Sequence, residues 1–318
     1  MSKLKVVFMG TPDFSYPILK ALDSHGIEVV LVVTQPDKLV GRKKVLTPTP
    51  VKKTALELGI EVYQPTKLRD EYQYILSKEP DMIITAAYGQ MLPSQLLDYP
   101  KHGCVNVHAS LLPKFRGGSP IHTAITSGEK ESGVTIMHMV KKMDAGDIIS
   151  QETVTITDED TVGTLHNKLS IIGCRLLLET IPQIITNDYQ RIVQDESKVT
   201  YAYNIKREDE LINFNRKTEE VFNHIRGYNP WPGTYFKYND KNVKVWSSIK
   251  LETSKYTDKS NGEVVIIDEN FIGVKACDGV VGLTQIQLPG KKRVMVSDYL
   301  RQNSKEKIKL GDIFNGGL

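Results

Sequence analysis

The sequence predicts an α/β fold: a mostly parallel, Rossmann-like sheet flanked by helices, followed by a small antiparallel β-barrel domain. Three observations carry that expectation. Short apolar runs alternate with helical patterns through the first half of the chain, the βαβ rhythm of a parallel sheet. A polar, aperiodic stretch then interrupts the pattern, and beyond it short apolar runs recur between Gly, Asn and Asp turns. The length of 318 residues with 40% hydrophobic content suits two domains, each with its own core.

In chain order, the apolar run 6–9 precedes a helical pattern over 17–22, the run 29–33 precedes one over 51–58, and 82–86 follows a polar helix. Thr49 is placed to cap the second helix, Pro50 occupies its first position and Gly59 follows its end. Gly10-Thr11-Pro12-Asp13-Phe14 follows the first strand without the glycine spacing of a dinucleotide fingerprint, so the architecture carries no indication of NAD. Residues 134–138 read as a strand. Residues 161–187 read as one helix, with Leu165, Leu169, Ile172, Leu176 and Ile184 near helical spacing and Pro182 bending it late. The domain boundaries expected are 1–189, a linker over 190–206, and 207–318. In the last part, 216–225 looks helical, and the runs 234–238, 243–246, 264–267, 271–276 and 280–286 read as five short strands, a count that fits an oligonucleotide-binding-like barrel.

Composition excludes several classes. Cys104, Cys174 and Cys277 are odd in number and far apart, so neither a disulfide framework nor a Cys-x-x-Cys metal site follows, and a reducing cytoplasm is expected. No early apolar run approaches the ~20 residues of a membrane span. His102, His108, His122 and His138 lack thiol or carboxylate partners at ligand spacing, so no metal is expected. The net charge of +3 is unevenly placed: the amino-terminal part to 189 is slightly acidic and the remainder basic, a split that suits a catalytic domain joined to one that meets a polyanion.

The chemistry concentrates in Cys104-Val105-Asn106-Val107-His108-Ala109-Ser110-Leu111-Leu112-Pro113. Alternate residues of a strand share a face, so Asn106 and His108 can aim at one atom beyond the strand's carboxyl end, where open α/β sheets bind ligands. An amide and an imidazole N–H converging on one point suit the oxygen of a tetrahedral acyl-transfer intermediate. The same pair can also cap a turn or bond a backbone carbonyl. Ser110 to Pro113 leaves no room for a long helix, and Arg116-Gly117-Gly118 continues it as a binding loop.

With these residues in view, the chain resembles the folate-dependent formyltransferase family, whose members carry an Asn-x-His pair, a Ser-Leu-Leu-Pro turn and a distant loop Asp. Here the Asp is matched by Asp144 in Lys142-Met143-Asp144-Ala145-Gly146-Asp147-Ile148, with small residues after it as a close ligand would require. The opening 5–14 and the segment Gly227-Tyr228-Asn229-Pro230-Trp231-Pro232-Gly233 resemble the branch that acts on an aminoacyl-tRNA. The resemblance implies formyl transfer from 10-formyltetrahydrofolate to the amine of initiator methionyl-tRNA, by a Rossmann-like domain followed by an OB-like barrel. It implies catalysis by Asn106, His108 and Asp144, and folate binding by Ser110, Leu111, Leu112 and Pro113, with core packing of the two leucines as the plainer role.

Lys38, Arg42, Lys43, Lys44, Lys52 and Lys53 occur with no acidic residue among them and read as a flexible basic loop on the same sheet edge. A solvated surface loop is the ordinary reading; the resemblance implies that Arg42, Lys43 and Lys44 contact tRNA. Lys291-Lys292-Arg293 occupies an expected hairpin turn that could meet a nucleic-acid backbone. The Asn-His-Asp set would equally serve an amino sugar-nucleotide acceptor, or water in a formyl-folate hydrolase, and a module that keeps the fold without catalysis is a further alternative. A monomer is the default expectation.

Overall fold

In the computed structural model, which describes residues 3–41, 43–251, 253, 255–302 and 307–314, the alternating runs become the strands of one sheet. β1 (Lys5–Gly10) leads into α1 (Tyr16–Ser24), and β2 (Glu28–Val33) into a hairpin of β3 (Lys38–Val40) and β4 (Val45–Thr47) before α2 (Pro50–Glu57). β5 (Val62–Tyr63), α3 (Gln73–Leu76), β6 (Met82–Ala86), α4 (Ser94–Leu97) and β7 (Cys104–His108) continue the alternation. β8 (Arg116–Gly117), α5 (Pro120–Thr126), β9 (Glu131–His138), β10 (Ile148–Thr155), α6 (Val162–Thr186) and β11 (Tyr201–Ala202) follow. The chain divides into two compact units. One holds the residues up to Pro120, Glu131–Thr155 and His166–Tyr203; the other holds Ile121–Lys130, Ile156–Leu165 and the chain from Asn204 on.

The sheet of the first unit runs β10-β9-β7-β6-β1-β2-β5. β5, β2, β1, β6 and β7 are parallel neighbours, and β9 and β10 add to the β7 side antiparallel. Five strands therefore end on one carboxyl edge. Val7, Met9, Leu31, Val33 and Ile83 form one buried cluster with Leu68, Ile75 and Leu96. On α6, a Cβ added to Gly173 would lie 3.1 Å from Val107 Cγ1 and within 4 Å of Val134 and Ile18, so the helix lies close against strands β7 and β9. Among the described helices α6 is long and apolar enough to cross a membrane by length and composition. Its Leu169, Leu176, Leu177 and Ile181 are buried, as in the core helix of a globular domain. Thr49 caps α2 as the sequence implied, its side chain accepting from the Lys52 N–H at 3.1 Å.

Two expectations need correction. The stretch 190–206 is no open linker: as far as Tyr203 it belongs to the first unit. There Ile192 bridges Ile148, β11 pairs in parallel with β8 and Gln194 is buried. Side-chain hydrogen bonds hold it in place, which a periodicity reading cannot register. The basic stretch, in turn, is a β-hairpin rather than an open loop, with Lys38, Leu39 and Val40 opposite Thr47, Leu46 and Val45. Its base is pinned, since Lys52 Nζ donates to Asp37 Oδ2 and to Gln64 Oε1, each at 2.7 Å. The hydrogen bond from Lys52 holds the Asp37 carboxyl below its ordinary range.

In the second unit, α7 (Thr218–Gly227) begins two residues later than the pattern suggested. The Asp278 carboxylate, distant in sequence, accepts the Thr218 N–H at 2.7 Å and fixes that start. β12 (Thr234–Tyr238), β13 (Lys241–Leu251), β14 (Val264–Ile267), β15 (Ile272–Lys275), β16 (Val280–Gln287), β17 (Val294–Met295) and α8 (Val296–Arg301) complete the chain. The antiparallel sheet runs β12-β13-β16-β15-β14 with β17 on β16. Among the described residues β12 and β14 do not pair, so hydrogen bonding leaves the expected barrel open along that seam. Phe214, Phe236, Val245, Val274, Leu283 and Phe314 share its core, with the Phe236 and Phe314 rings stacked 3.9 Å apart.

Candidate active site

β7 ends on the shared carboxyl edge and carries the pair that the sequence singled out. Asn106 lies opposite Thr85 of β6 and Met137 of β9; His108 lies opposite Thr135. Asn106 is half-buried, and its Oδ1 accepts from the buried Thr85 hydroxyl at 2.8 Å. With the oxygen so held, the amide NH₂ is the end left to donate. His108 is buried. Its Nε2 lies 3.1 Å from the Phe115 carbonyl, which can only accept, so this nitrogen carries a proton. Its Nδ1 lies 3.8 Å from Asp144 Oδ1, an ion-pair distance longer than a hydrogen bond. The structure thus brings His108, at the end of β7, together with Asp144, from a loop that sequence alone leaves apart from it.

Asp144 adopts φ +49°, a left-handed conformation sparsely used by non-glycine residues. Its Oδ2 accepts the Gly117 N–H at 2.9 Å, and its backbone carbonyl accepts from Gln194 Nε2 at 2.9 Å. The small residue after it has a reason the sequence did not give. A Cβ at Gly146 would lie 1.9 Å from the His138 carbonyl, so this position is small to admit the protein's own backbone rather than a ligand. His138 itself faces the Tyr189 hydroxyl at 2.7 Å, and burial, aided by the charge of Arg191, pushes its pKa down.

The turn Ser110, Leu111, Leu112, Pro113 is held by the sheet beneath it. Ser110 donates to the Lys114 carbonyl at 2.6 Å, and Thr135 donates to the Ser110 carbonyl at 2.6 Å. The Leu112 N–H meets Thr135 Oγ1 at 3.2 Å and the Leu112 carbonyl accepts from Gln151 at 2.9 Å. Leu112 is buried with Met137 and Ile148, while Leu111 is half-buried over Gly133. Leu112 therefore has the plainer role weighed for it, and Leu111 is the leucine with surface left to offer. The peptide bond Leu112–Pro113 is cis.

Sequence reasoning missed the groups that arrange these residues. Thr85 and Thr135 are unremarkable threonines inside apolar strands. Arg116 is fully buried; its Nε and Nη2 donate to Gln194 Oε1 at 3.1 and 2.9 Å, and Nη2 also to Glu196 at 2.9 Å. Also missed is an open depression of about 630 Å³ on the same edge, lined by Lys67, Arg69, Gln90, Met91 and Gln95 among others. It follows β5 and β6, in runs with no motif to mark them. Of the expected polyanion contacts, Lys43 and Lys44 are exposed at the hairpin tip beside exposed Leu39, Val40, Val45 and Leu46; Arg42 lies outside the described residues. In the second unit Arg293 lies over the Trp246 ring at 3.6 Å, while Lys291 and Lys292 precede it in the turn between β16 and β17.

A family model described as formyl transferase matches residues 3–181, and one described as formyl transferase, C-terminal domain, matches 204–304. The chain belongs to the formyltransferase family. Its relatives include the methionyl-tRNA formyltransferase of Halalkalibacterium halodurans, 49% identical over 98% of this chain and 99% of that protein. That of Bacillus subtilis is 52% identical over 93% of this chain and 94% of that protein. Among solved structures, the sugar 3N-formyl transferase WlaRD superposes with a TM-score of 0.64 at 21% identity, covering 92% of this chain and all of that one. HypX from Aquifex aeolicus, solved with tetrahydrofolic acid, gives 0.64 at 16% identity over 98% of this chain, which spans about half (51%) of HypX. These two likenesses concern the fold.

Proposed function

We infer that this chain transfers the formyl group of 10-formyltetrahydrofolate to the α-amine of methionyl-tRNA. The observation that carries this reading is the roughly 50% identity, over nearly the whole of both chains, to curated methionyl-tRNA formyltransferases. The site agrees with the chemistry. The reaction forms a carbon–nitrogen bond between the amine and the formyl carbon and breaks the bond from that carbon to the folate nitrogen. The amine loses one proton and the folate nitrogen gains one. An α-amino group titrates near ~7.7 to 8.0 and an adjacent ester lowers it further, so a strong base is not required.

In this reading the Asn106 amide, its oxygen tied to Thr85, donates to the formyl oxygen as negative charge develops there. Asp144 Oδ1, beside His108, is the acceptor for the amine proton. His108 Nε2 donates to the Phe115 carbonyl and its Nδ1 lies at ion-pair distance from Asp144, so a doubly protonated ring keeps its donor contact and gains a charge partner; the His108–Asp144 pair can therefore hold a proton between amine and folate nitrogen. Leu111 covers the folate ring from the turn 110–113. Lys43 and Lys44 at the hairpin tip, with Arg42 next to them in the sequence, meet the tRNA phosphates. These residue roles extend the family assignment to this chain, and a cytoplasmic site of action, beside translation, goes with them.

The experiment is formyl incorporation from 10-formyltetrahydrofolate into methionyl-tRNA, with uncharged tRNA and an amino sugar-nucleotide as parallel acceptors. Transfer to the charged tRNA alone is expected. Transfer to the sugar, or formyl-folate breakdown without acceptor, would replace the reading.

A further inference from the structure

We propose that Gln194, with Thr200 on the same segment, is a positioning residue that holds Asp144 and His108 in register by tying both to the short segment Phe115 to Gly117. This rests on the catalytic reading of His108 and Asp144 given above. The connections close on themselves. Gly117 donates its N–H to the Asp144 carboxylate at 2.9 Å. Gln194 Nε2 donates to the Asp144 carbonyl at 2.9 Å and to the Gly146 carbonyl at 2.7 Å. Gln194 Oε1 accepts two N–H groups from Arg116, the residue before Gly117. The side chain of Asp144 is thus anchored directly to Gly117, and its backbone through one glutamine to Arg116, the two residues of β8.

His108 is tied to the same segment. Its Nε2 bonds the Phe115 carbonyl, and the Phe115 N–H donates to Thr200 Oγ1 at 2.9 Å while the Arg116 N–H donates to the Thr200 carbonyl at 2.9 Å. There is no slack at Gly117: a Cβ there would lie 2.5 Å from the Ala202 carbonyl. Gln194 is buried and every polar atom of its amide is used, so it has a single arrangement. Without it, the left-handed Asp144 would be held among the described residues by its carboxylate alone, and the 3.8 Å approach to His108 would no longer be fixed. Displacements near 1 Å in a reacting constellation cost up to ~100-fold in rate.

The test is Gln194→Glu. This isosteric change keeps an acceptor for Arg116, whose Nη1 already lacks a partner among the described residues, but removes both donors to the Asp144 and Gly146 carbonyls. Formyl transfer to methionyl-tRNA should show kcat lowered about 10- to 100-fold, with the KM for tRNA and for 10-formyltetrahydrofolate within about twofold and an altered pH profile. Combined with Asp144→Ala, the change should add no further loss, because a residue acting only through Asp144 has nothing left to position. An unchanged kcat, or an equal loss in the Asp144→Ala background, overturns the proposal. Near-normal turnover by Asp144→Ala alone overturns the underlying site reading instead. Should Gln194→Glu fail to fold, Thr200→Val at an exposed position tests the other tie, with Thr200→Ser as its control: a lowered kcat at unchanged KM that the Ser variant restores supports the strap, and an unchanged kcat removes it.

Discussion

Replacing Thr85 by Val removes one oxygen from a site that the substrate need not touch. The Thr85 hydroxyl is buried and donates to Asn106 Oδ1 at 2.8 Å, with the Val105 carbonyl a more distant acceptor at 3.3 Å. A buried hydrogen bond of this kind has a net value of about 0.5 to 1.5 kcal/mol. Near 1 kcal/mol it biases the amide roughly fivefold toward the orientation that turns its NH₂ to the site. Without it the two orientations approach equality, the productive share falls from about five-sixths to about one half, and kcat should fall a little under twofold, well short of the ~10² to 10³ that follows deletion of an oxyanion donor. Single-turnover formyl transfer, with both substrates saturating, reads this directly. Thr85→Ser should restore the rate, and Thr85→Val in an Asn106→Ala background should change nothing. A wild-type rate in the Val variant, or an undiminished effect without Asn106, would refute the oriented-amide account.

Asn106→Ala should lower kcat by about 10² to 10³, whereas His108→Ala should abolish turnover while leaving folate affinity, measured by calorimetry, near normal. Neutralising Arg42, Lys43 and Lys44 together should raise the KM for tRNA and flatten its log–log salt dependence by about 2 to 3, with folate affinity unchanged; an unchanged slope would remove the hairpin from the tRNA interface. Gly133→Ala would place a Cβ 2.2 Å from the Glu152 carbonyl and 2.4 Å from Leu111 Cδ2, so it should cost roughly 1 to 3 kcal/mol of stability in denaturant titration and weaken folate binding. Burial pushes His224 down to about 4. The unfolded chain therefore takes up a proton that the folded unit refuses between about pH 6.5 and 4. Stability is complete above that window and declines through it as pH falls. Urea unfolding followed by Trp231 and Trp246, both in the second unit, should show that decline, and His224→Gln should flatten it.

Much of this molecule was legible because its signals are local. Strands β1, β2, β6 and β7 are apolar runs buried in the sheet, and the Thr49-Pro50 start of α2 needs only its own neighbours. The placing of Asn106 and His108 two apart on one strand was legible because a strand's period is fixed by its backbone. What stayed hidden depends on partners distant in sequence. Gln194 looks like any polar residue in a polar stretch until Arg116 and Asp144 surround it, and Asp278 fixes the start of α7 from 60 residues away. The β3–β4 hairpin was hidden for another reason. Its strands are three residues long and exposed on both faces, so there is no alternation to read, and its turn relies on the positive φ of Gly41 (73°) and Lys44 (47°).

The pairing of β8 with β11 also sets an order of assembly. All seven strands of the sheet are present once residue 155 has been made, yet Gln194, Thr200 and Ala202, which fasten the segment beside His108 and Asp144, come about forty to fifty residues later. A ribosome-bound chain that has emerged only as far as 189 can therefore possess the scaffold while His108 and Asp144, the pair proposed to handle protons, still lack the contacts of that later segment. On the proposal made for Gln194, competence arrives with the polar segment that follows, late in synthesis.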